Sequence, residues 1–377
     1  MKIEQVNAHL LDNIPVQTPP FRDVPNKASA IMLEVVAESG HVGWARSSNS
    51  RRIVADYFND YLGPELIGQD IFQINKLKKR LSLGSGIGSG KGGLSSLNRG
   101  AWSTLDIALW DLKGKLFEKP VHQLLGGAND RVGVYITFGV PYGNEPEYSI
   151  EELVAEAKHW VSQGNTGLKT VVGQKVRGQE VNPDARDDYR RLSAVREAIG
   201  PDVKLAVDGA YGMSLPETIR LCRAIEELDI AFIEEPLYSN DPLLLARLRQ
   251  HTSIPVAAAE TPKYSARDLL LTEAIDILQP NVNNDGGYTA GIELAGLAKA
   301  FNTPIGHGNG SGPYNIALHG GVENGTEVEY HQHRWLDFNA IFDGVPQPDD
   351  GHLTVSTAPG TGLAPKEGLI REFTVRK

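Results

Sequence analysis

The chain has 377 residues, 41% hydrophobic and 22% charged, a globular composition long enough for a large core and two or three domains. With 37 Lys and Arg against 47 Asp and Glu the net charge is −10 and no basic segment stands out, so nucleic acid is not an expected partner. The single cysteine, Cys222, rules out an internal disulfide framework and a Cys-ligated zinc site; no run of about 18 apolar residues marks a membrane span, and the first twenty residues lack the apolar stretch of a signal peptide.

The N-terminal third reads as α+β. Residues 1–11 alternate like a strand, and residues 28–37 (ASAIMLEVVA) predict a second one that turns at Ser39-Gly40 into HVGWA at 41–45. Residues 51–62 and 70–81 read as helices. A glycine-dense stretch follows at 83–95 and reads as a flexible loop. Residues 96–116 place Leu105, Leu109, Leu112 and Leu116 on one helical face.

From Arg131 short β-rich runs alternate with amphipathic helical runs. The strands are predicted at 132–139, 167–172, 204–209, 231–236, 254–260, 276–281, 303–308 and 326–330. Ser149 with Glu152, and Ser214 with Glu217, form capping boxes at the starts of two of the intervening helices. Eight strands with helical crossovers imply parallel pairing and a closed barrel. The predicted division is a capping α+β domain over 1–127, a barrel over 128–345, and a segment over 346–377 that returns to the capping domain.

Three predicted strands end in carboxylates. Asp208, Glu234 and Glu260 are spaced by 26 residues each, about one βα unit, which sets them at one height on consecutive strands. The C-terminal strand ends of such a barrel build its active site. Three converging carboxylates are costly unless a cation neutralises them, and all-oxygen ligands suit Mg²⁺ before Mn²⁺. N-caps of the following helices are the alternative role for each of them taken singly.

Asp208, Glu234 in its Glu-Glu-Pro setting, and Glu260 after Pro-Val-Ala resemble the metal triad of the enolase superfamily, in its mandelate racemase-like branch. The stretch LSSLNRGAWSTLDIALWDLKGK at 94–115 resembles the helix that ends that branch's capping domain. The resemblance implies a modified (β/α)₇β barrel of the TIM type with an α+β capping domain completed by the C-terminal segment. It also implies Mg²⁺-assisted removal of the proton α to a carboxylate.

The acid/base residues depart from the branch. Its second strand usually ends in Lys-x-Lys; here Lys169 is followed by Thr170 and Val171, and valine transfers no proton. By resemblance Lys169 stabilises the enediolate, though it could instead pair with a barrel carboxylate. His307 ends strand seven, where the branch has its general acid/base. The aspartate that normally partners this histidine is Asn281, which can orient the ring without supplying charge; Asp276 and Asp285 are the nearby acids. Asn283 stands where the muconate-lactonizing branch has a lysine, which argues against that branch. Glu329, on strand eight, resembles the acid that hydrogen-bonds the enediolate; a strand-end ion pair is the equal alternative.

With one equipped face, syn β-elimination by a single histidine is favoured over two-base racemisation. Dehydration of a sugar-derived carboxylate is therefore expected. A cycloisomerase acting on a sugar-acid lactone or anhydro sugar acid is the alternative, and a metal-binding relative without turnover is the alternative of another class. Phe21, Arg22, Arg46 and Asn283 are candidate substrate contacts, with Arg51 and Trp44 nearby in sequence. Gly88, Gly90 and Gly93 fit GxGxxG, but no strand precedes them and Lys91 is followed by glycine, so nucleotide binding is not expected. His331 and His333 are read as a loop or surface pair. The expectation is a cytoplasmic homo-oligomer whose partner is a small carboxylate substrate, neither nucleic acid nor membrane.

Overall fold

The computed structural model describes residues 1–19, 21, 26–83, 96–141, 147–173, 184–260, 264–310 and 312–375. The glycine-dense loop and its GxGxxG motif fall largely outside the described residues. Strands β1 (Ile3–Val16), β2 (Asn26–Ala37) and β3 (Val42–Arg46) form an antiparallel sheet in that order. β1 and β2 run longer than the sequence pattern indicates, because the pairing continues through a register shift between Leu11 and Ile14.

Helix Ser96–Leu116 is not amphipathic as expected. Residues 101–112 are buried on every side, since the helix lies between the sheet, the barrel and the C-terminal segment. Gly43 of β3 crosses it so closely that a Cβ there would stand 2.1 Å from the Ala108 carbonyl oxygen. Its buried Asp111 accepts from the Trp44 N–H (2.9 Å), Lys115 Nζ (2.6 Å) and the Thr361 N–H (2.8 Å), tying three parts of the chain to one carboxylate.

The barrel strands are β4 (Arg131–Thr137), β5 (Gly167–Val171), β6 (Lys204–Asp208), β7 (Ile230–Glu234), β8 (Val256–Ala258), β9 (Ile277–Leu278) and β10 (Glu327–His331). They pair in parallel in chain order, and β10 pairs with β4. The predicted seventh strand is a single bridging residue, Ile305, which pairs with Leu278 on one side and Gly325 on the other and closes the ring. The capping boxes at Ser149 and Ser214 are both formed. Inside the ring Tyr135, Ala206, Phe232 and Ala257 form a small apolar layer beneath the strand ends.

Three short strands follow: β11 (Phe342–Asp343), β12 (His352–Thr354) and β13 (Ala364–Pro365). β12 adds antiparallel to the start of β4, and β13 pairs with β11. The chain then passes Gly360 against Gly114 and reaches β1, where the Val375 N–H donates to the Leu10 carbonyl (2.8 Å). The tail thus joins the barrel wall before it joins the antiparallel sheet. No helix among the described residues is long and apolar enough to cross a membrane.

Candidate active site

Parallel pairing sets the carboxylates side by side. Asp208 is the register partner of Val171 on one side and of Glu234 on the other, and Glu260 lies two residues beyond the last β8 residue. The backbone around them is strained. Ala210 (φ 43°), Tyr211 (φ 58°), Glu235 (φ 39°) and Ala259 (φ 90°) all take left-handed conformations next to the three acids.

Lys169, fully buried, projects into this cluster. Its Nζ lies 2.5 Å from Glu234 Oε1, 3.1 Å from Glu329 Oε1 and 3.3 Å from Asp208 Oδ2. Burial alone would strip its proton, but Glu234 and Glu329 outweigh burial and hold its pKa well above the usual lysine range. Lys169 is therefore paired with barrel carboxylates, the alternative named for it, at the strand ends that form the candidate site. Val171, two residues on, presents only a buried apolar side chain beside Asp208.

One ammonium does not balance the acids. Burial pushes the Glu234 carboxyl up, against the pull of Lys169. Glu260 is pushed well above the carboxylate range by burial and by the charges of Glu234 and Asp208. The donor set is all oxygen, and Gly308 leaves beside it room that a side chain would fill: a Cβ there would stand 2.8 Å from Glu234 Oε1 and 2.9 Å from Glu260 Oε2. The excess negative charge and the hard donors fit a divalent cation such as Mg²⁺. Among the described residues no three acids already face one centre as a closed cage, because Asp208 and Glu234 turn toward Lys169.

Glu329 forms the ion pair named as one of its two readings. Thr137 Oγ1 and the Gly310 N–H (2.5 Å) donate to it, and Lys169 lies beside it. Burial raises its pKa, but Lys169 and the other positive and donating groups outweigh burial and hold it below the usual range. Surrounded by donors, it is a carboxylate paired with Lys169.

His307 is fully buried. Burial lowers its pKa to about 4 against the opposing charge of Glu329, so the ring is neutral at pH 7. The Glu329 N–H reaches His307 Nδ1 at 3.3 Å, and Nε2 has no partner. This assigns the ring proton to Nε2. The expectation that Asn281 orients the ring is not met. Asn281 Nδ2 donates to the Gly308 carbonyl (3.1 Å), and its Oδ1 accepts from the Asn283 N–H (3.0 Å), Asn283 Nδ2 (3.2 Å) and Asn315 Nδ2 (3.3 Å). A neutral amide finds its partners in neighbouring amides. Neither nearby acid replaces the missing aspartate: Asp285 accepts from the Asn281 N–H (2.7 Å), and Asp276 pairs with Arg249 and with the Val256 N–H at the strand's start.

The other candidate contacts have these surroundings. The Arg46 guanidinium lies 3.5 Å from Asp337 Oδ2 and 4.9 Å above the Phe338 ring, which seats it between β3 and helix Gln332–Ile341. Phe21 packs edge-on against His159 of helix Ile150–Ser162, on the outside of the barrel. Asn283 is buried against Asn281, and Arg22 lies outside the described residues. His331 is half-buried at the end of β10, and desolvation lowers its pKa to about 4.

Sequence reasoning missed Tyr135, Gln279 and Glu235. Tyr135 Oη donates to the His307 carbonyl (2.5 Å) and lies 3.3 Å from Glu234 Oε2, to which Gln279 Nε2 donates at 2.7 Å. Period-two alternation was the signal for both, since Tyr135 shares a face with Thr137, and Gln279 with Asn281.

Acids on the C-terminal ends of consecutive barrel strands, facing a buried lysine and histidine, define the class: a barrel enzyme that activates a substrate through a carboxylate-held cation. Two family models extend this to sequence. The enolase C-terminal domain-like model matches residues 152–369, and the mandelate racemase/muconate lactonizing enzyme N-terminal domain model matches residues 6–126. The chain belongs to the mandelate racemase/muconate lactonizing enzyme family of the enolase superfamily.

It is 33% identical over 279 residues to arabinonate dehydratase of Saccharolobus solfataricus, covering 72% of this chain and 71% of that protein. It is 32% identical over 311 residues to D-galactarolactone cycloisomerase of Agrobacterium fabrum, covering 81% and 78%. The crystal structure of L-talarate dehydratase from Polaromonas sp. JS666, complexed with Mg and L-glucarate, superposes with a TM-score of 0.83 at 27% identity and covers 100% of this chain and 98% of that one.

Proposed function

We propose that this protein is a Mg²⁺-dependent hydro-lyase that removes the α-proton of a sugar-derived carboxylate and expels the β-hydroxyl as water. The observation that carries the reading is the asymmetry of the site. Two strand-end acids, Asp208 and Glu234, pair with Lys169 and Glu260 ends the next strand, while proton transfer is left to one buried neutral imidazole, His307. Asp208, Glu234 and Glu260 would hold the cation. When bound, Mg²⁺ polarises the substrate carboxylate and makes the α-proton more acidic.

The chain's own groups do the rest. Lys169, held protonated by its acids, donates to the carboxylate as negative charge builds on it. Glu329 fixes the Lys169 ammonium. The tautomer with the proton on Nδ1 costs only the 3.3 Å contact with the Glu329 N–H, which is long for a hydrogen bond, and is reached by proton exchange with solvent; it leaves Nε2 free to act as the base. Nε2 then accepts the α-proton and delivers it to the departing hydroxyl on the same face. The product enol becomes a 2-keto-3-deoxy acid. The proposal extends to setting: a cytoplasmic homo-oligomer acting in sugar-acid breakdown.

The test is a panel of acid sugars with Mg²⁺, read by α-keto acid formation and by uptake of solvent deuterium at the α-carbon. His307→Asn is expected to lower turnover by about 10²–10⁴-fold without loss of the fold. Full activity in that variant overturns the assignment. The likeness to D-galactarolactone cycloisomerase supports a second reading, in which a ring oxygen leaves in place of water. Mass spectrometry separates the two, because cycloisomerisation conserves mass.

A further inference from the structure

The acid after the second strand-end carboxylate has no part in the mechanism above, yet it is among the most constrained side chains in the molecule. Glu235 is 1% exposed. Its Oε1 accepts two backbone N–H bonds, from Ala259 and Glu260, each at 2.9 Å. Its Oε2 accepts from Asn240 Nδ2, and Asn240 Oδ1 in turn accepts the Leu237 N–H at 2.9 Å. Its own N–H donates to the Ala257 carbonyl (3.0 Å), and its carbonyl receives the Tyr211 N–H (2.9 Å). Through one residue the ends of β6, β7 and β8 are joined.

Two of those bonds hold backbone that does not hold itself. Ala259 takes φ 90°, which an L residue rarely adopts, and Glu260 follows immediately. Donation of both N–H groups to one carboxylate oxygen fixes the direction in which the Glu260 side chain leaves the strand. One buried oxygen that accepts both backbone donors ties the two peptides to a single point.

Resting on the Mg²⁺ reading above, we propose that Glu235 is the positioning residue for the third carboxylate: it does not touch the cation, but it clamps the Ala259–Glu260 peptide so that Glu260 completes the ligand set. The sequence signature Glu-Glu-Pro then has two functions, Glu234 as ligand and Glu235 as clamp.

The hydrogen-bond pattern supplies its own test. In Glu235→Gln one oxygen becomes an NH₂, which must face either the Asn240 amide or the two backbone N–H groups, donor against donor. Adding Asn240→Asp restores an acceptor opposite the new NH₂, keeps the acceptor for the Leu237 N–H, and leaves the net charge unchanged. Calorimetric titration with Mg²⁺ is expected to show affinity weakened about 10–100-fold in Glu235→Gln and largely recovered in the double variant. At saturating Mg²⁺, kcat is expected to fall less than the affinity does. A residue that only stabilises the fold would lower the melting temperature and leave Mg²⁺ affinity and its rescue unmoved. Unchanged affinity in Glu235→Gln, or a folded double variant that fails to regain it, overturns the clamp alone. A wild-type protein that binds no Mg²⁺ overturns both the clamp and the proposed function.

Discussion

The two halves of the barrel mouth are built differently. Over β6 to β8, strand register sets two acids side by side and brings the third close by; a buried clamp holds the backbone, and four left-handed residues lie around the acids. Over β5, β9 and the Ile305–His307 segment, the positions that handle protons in the family are thinned out. Val171 stands where the resemblance leads one to expect a base, and Asn281 joins an amide network with Asn283 and Asn315 and does not bond the His307 ring. In the proposed mechanism one half activates a carboxylate and the other moves a proton, and the second carries fewer groups able to do so. A scaffold can therefore retain its electrostatic machinery while the fate of the intermediate is decided by how many faces carry a base. A single face suits elimination.

Lys169 is where the halves meet, and its removal gives the largest expected effect. Lys169→Met leaves Glu234 and Glu329 buried without their cation. The metal-free protein is expected to lose about 3–5 kcal/mol of stability, the usual cost of breaking a buried ion pair from one side. Excess Mg²⁺ should recover part of that loss, since the cation takes over the neutralising charge. Denaturant titrations of the variant with and without Mg²⁺ check both points. A metal-free variant as stable as wild type would mean that the acids are already protonated and that Lys169 balances nothing.

The activating half was legible in the sequence because its logic is periodic. Equal spacing of Asp208, Glu234 and Glu260 on βα units carries directly into register. The proton-handling half was legible only as a set of residue types. Position along a strand told where Asn281 and His307 would lie, but not what they would touch, since an amide can bond either a ring or a carbonyl. The same limit explains Arg46 and Phe21. Both lie in loops or strand ends whose neighbours, Asp337 and His159, are far away in sequence. Helix Ser96–Leu116 was located correctly, but its burial on all sides depends on three partners that no local pattern encodes.

Asn281→Asp tests whether the missing charge can simply be restored. In the structure Asn281 Nδ2 donates to the Gly308 carbonyl. A carboxylate there would set oxygen against oxygen and leave that carbonyl without its donor. The expected outcome is a loss of about 1–3 kcal/mol and no gain in activity, measured by thermal unfolding and turnover on the same preparation. A variant that is both stable and faster would show that the amide network yields easily and that the halves differ less than their contacts suggest.

The smallest effect concerns a second imidazole on the proton-handling side. His319, on helix Tyr314–Gly321 with Asn315, is fully buried, and neither ring nitrogen has a hydrogen-bond partner. Burial, with His307 acting in the same direction, lowers its pKa to about 3 from an ordinary 6.5. Between those values the unfolded chain binds the proton and the folded chain does not. The stability this ring confers is therefore present above pH 6.5 and drains away as the pH falls toward 3. Asp106 and Asp285, both raised to about 7 by burial, titrate in the opposite sense, so the wild-type profile mixes the two. The difference between wild type and His319→Leu isolates the imidazole. At pH 7 the variant is expected to be as stable as wild type or about 1 kcal/mol more so, because an unsatisfied polar group is gone. At pH 5 its advantage should be larger. A difference that stays constant from pH 7 to pH 5 would show that His319 is not held neutral by its surroundings, and that burial on this side of the mouth does not suppress charge as it does at His307.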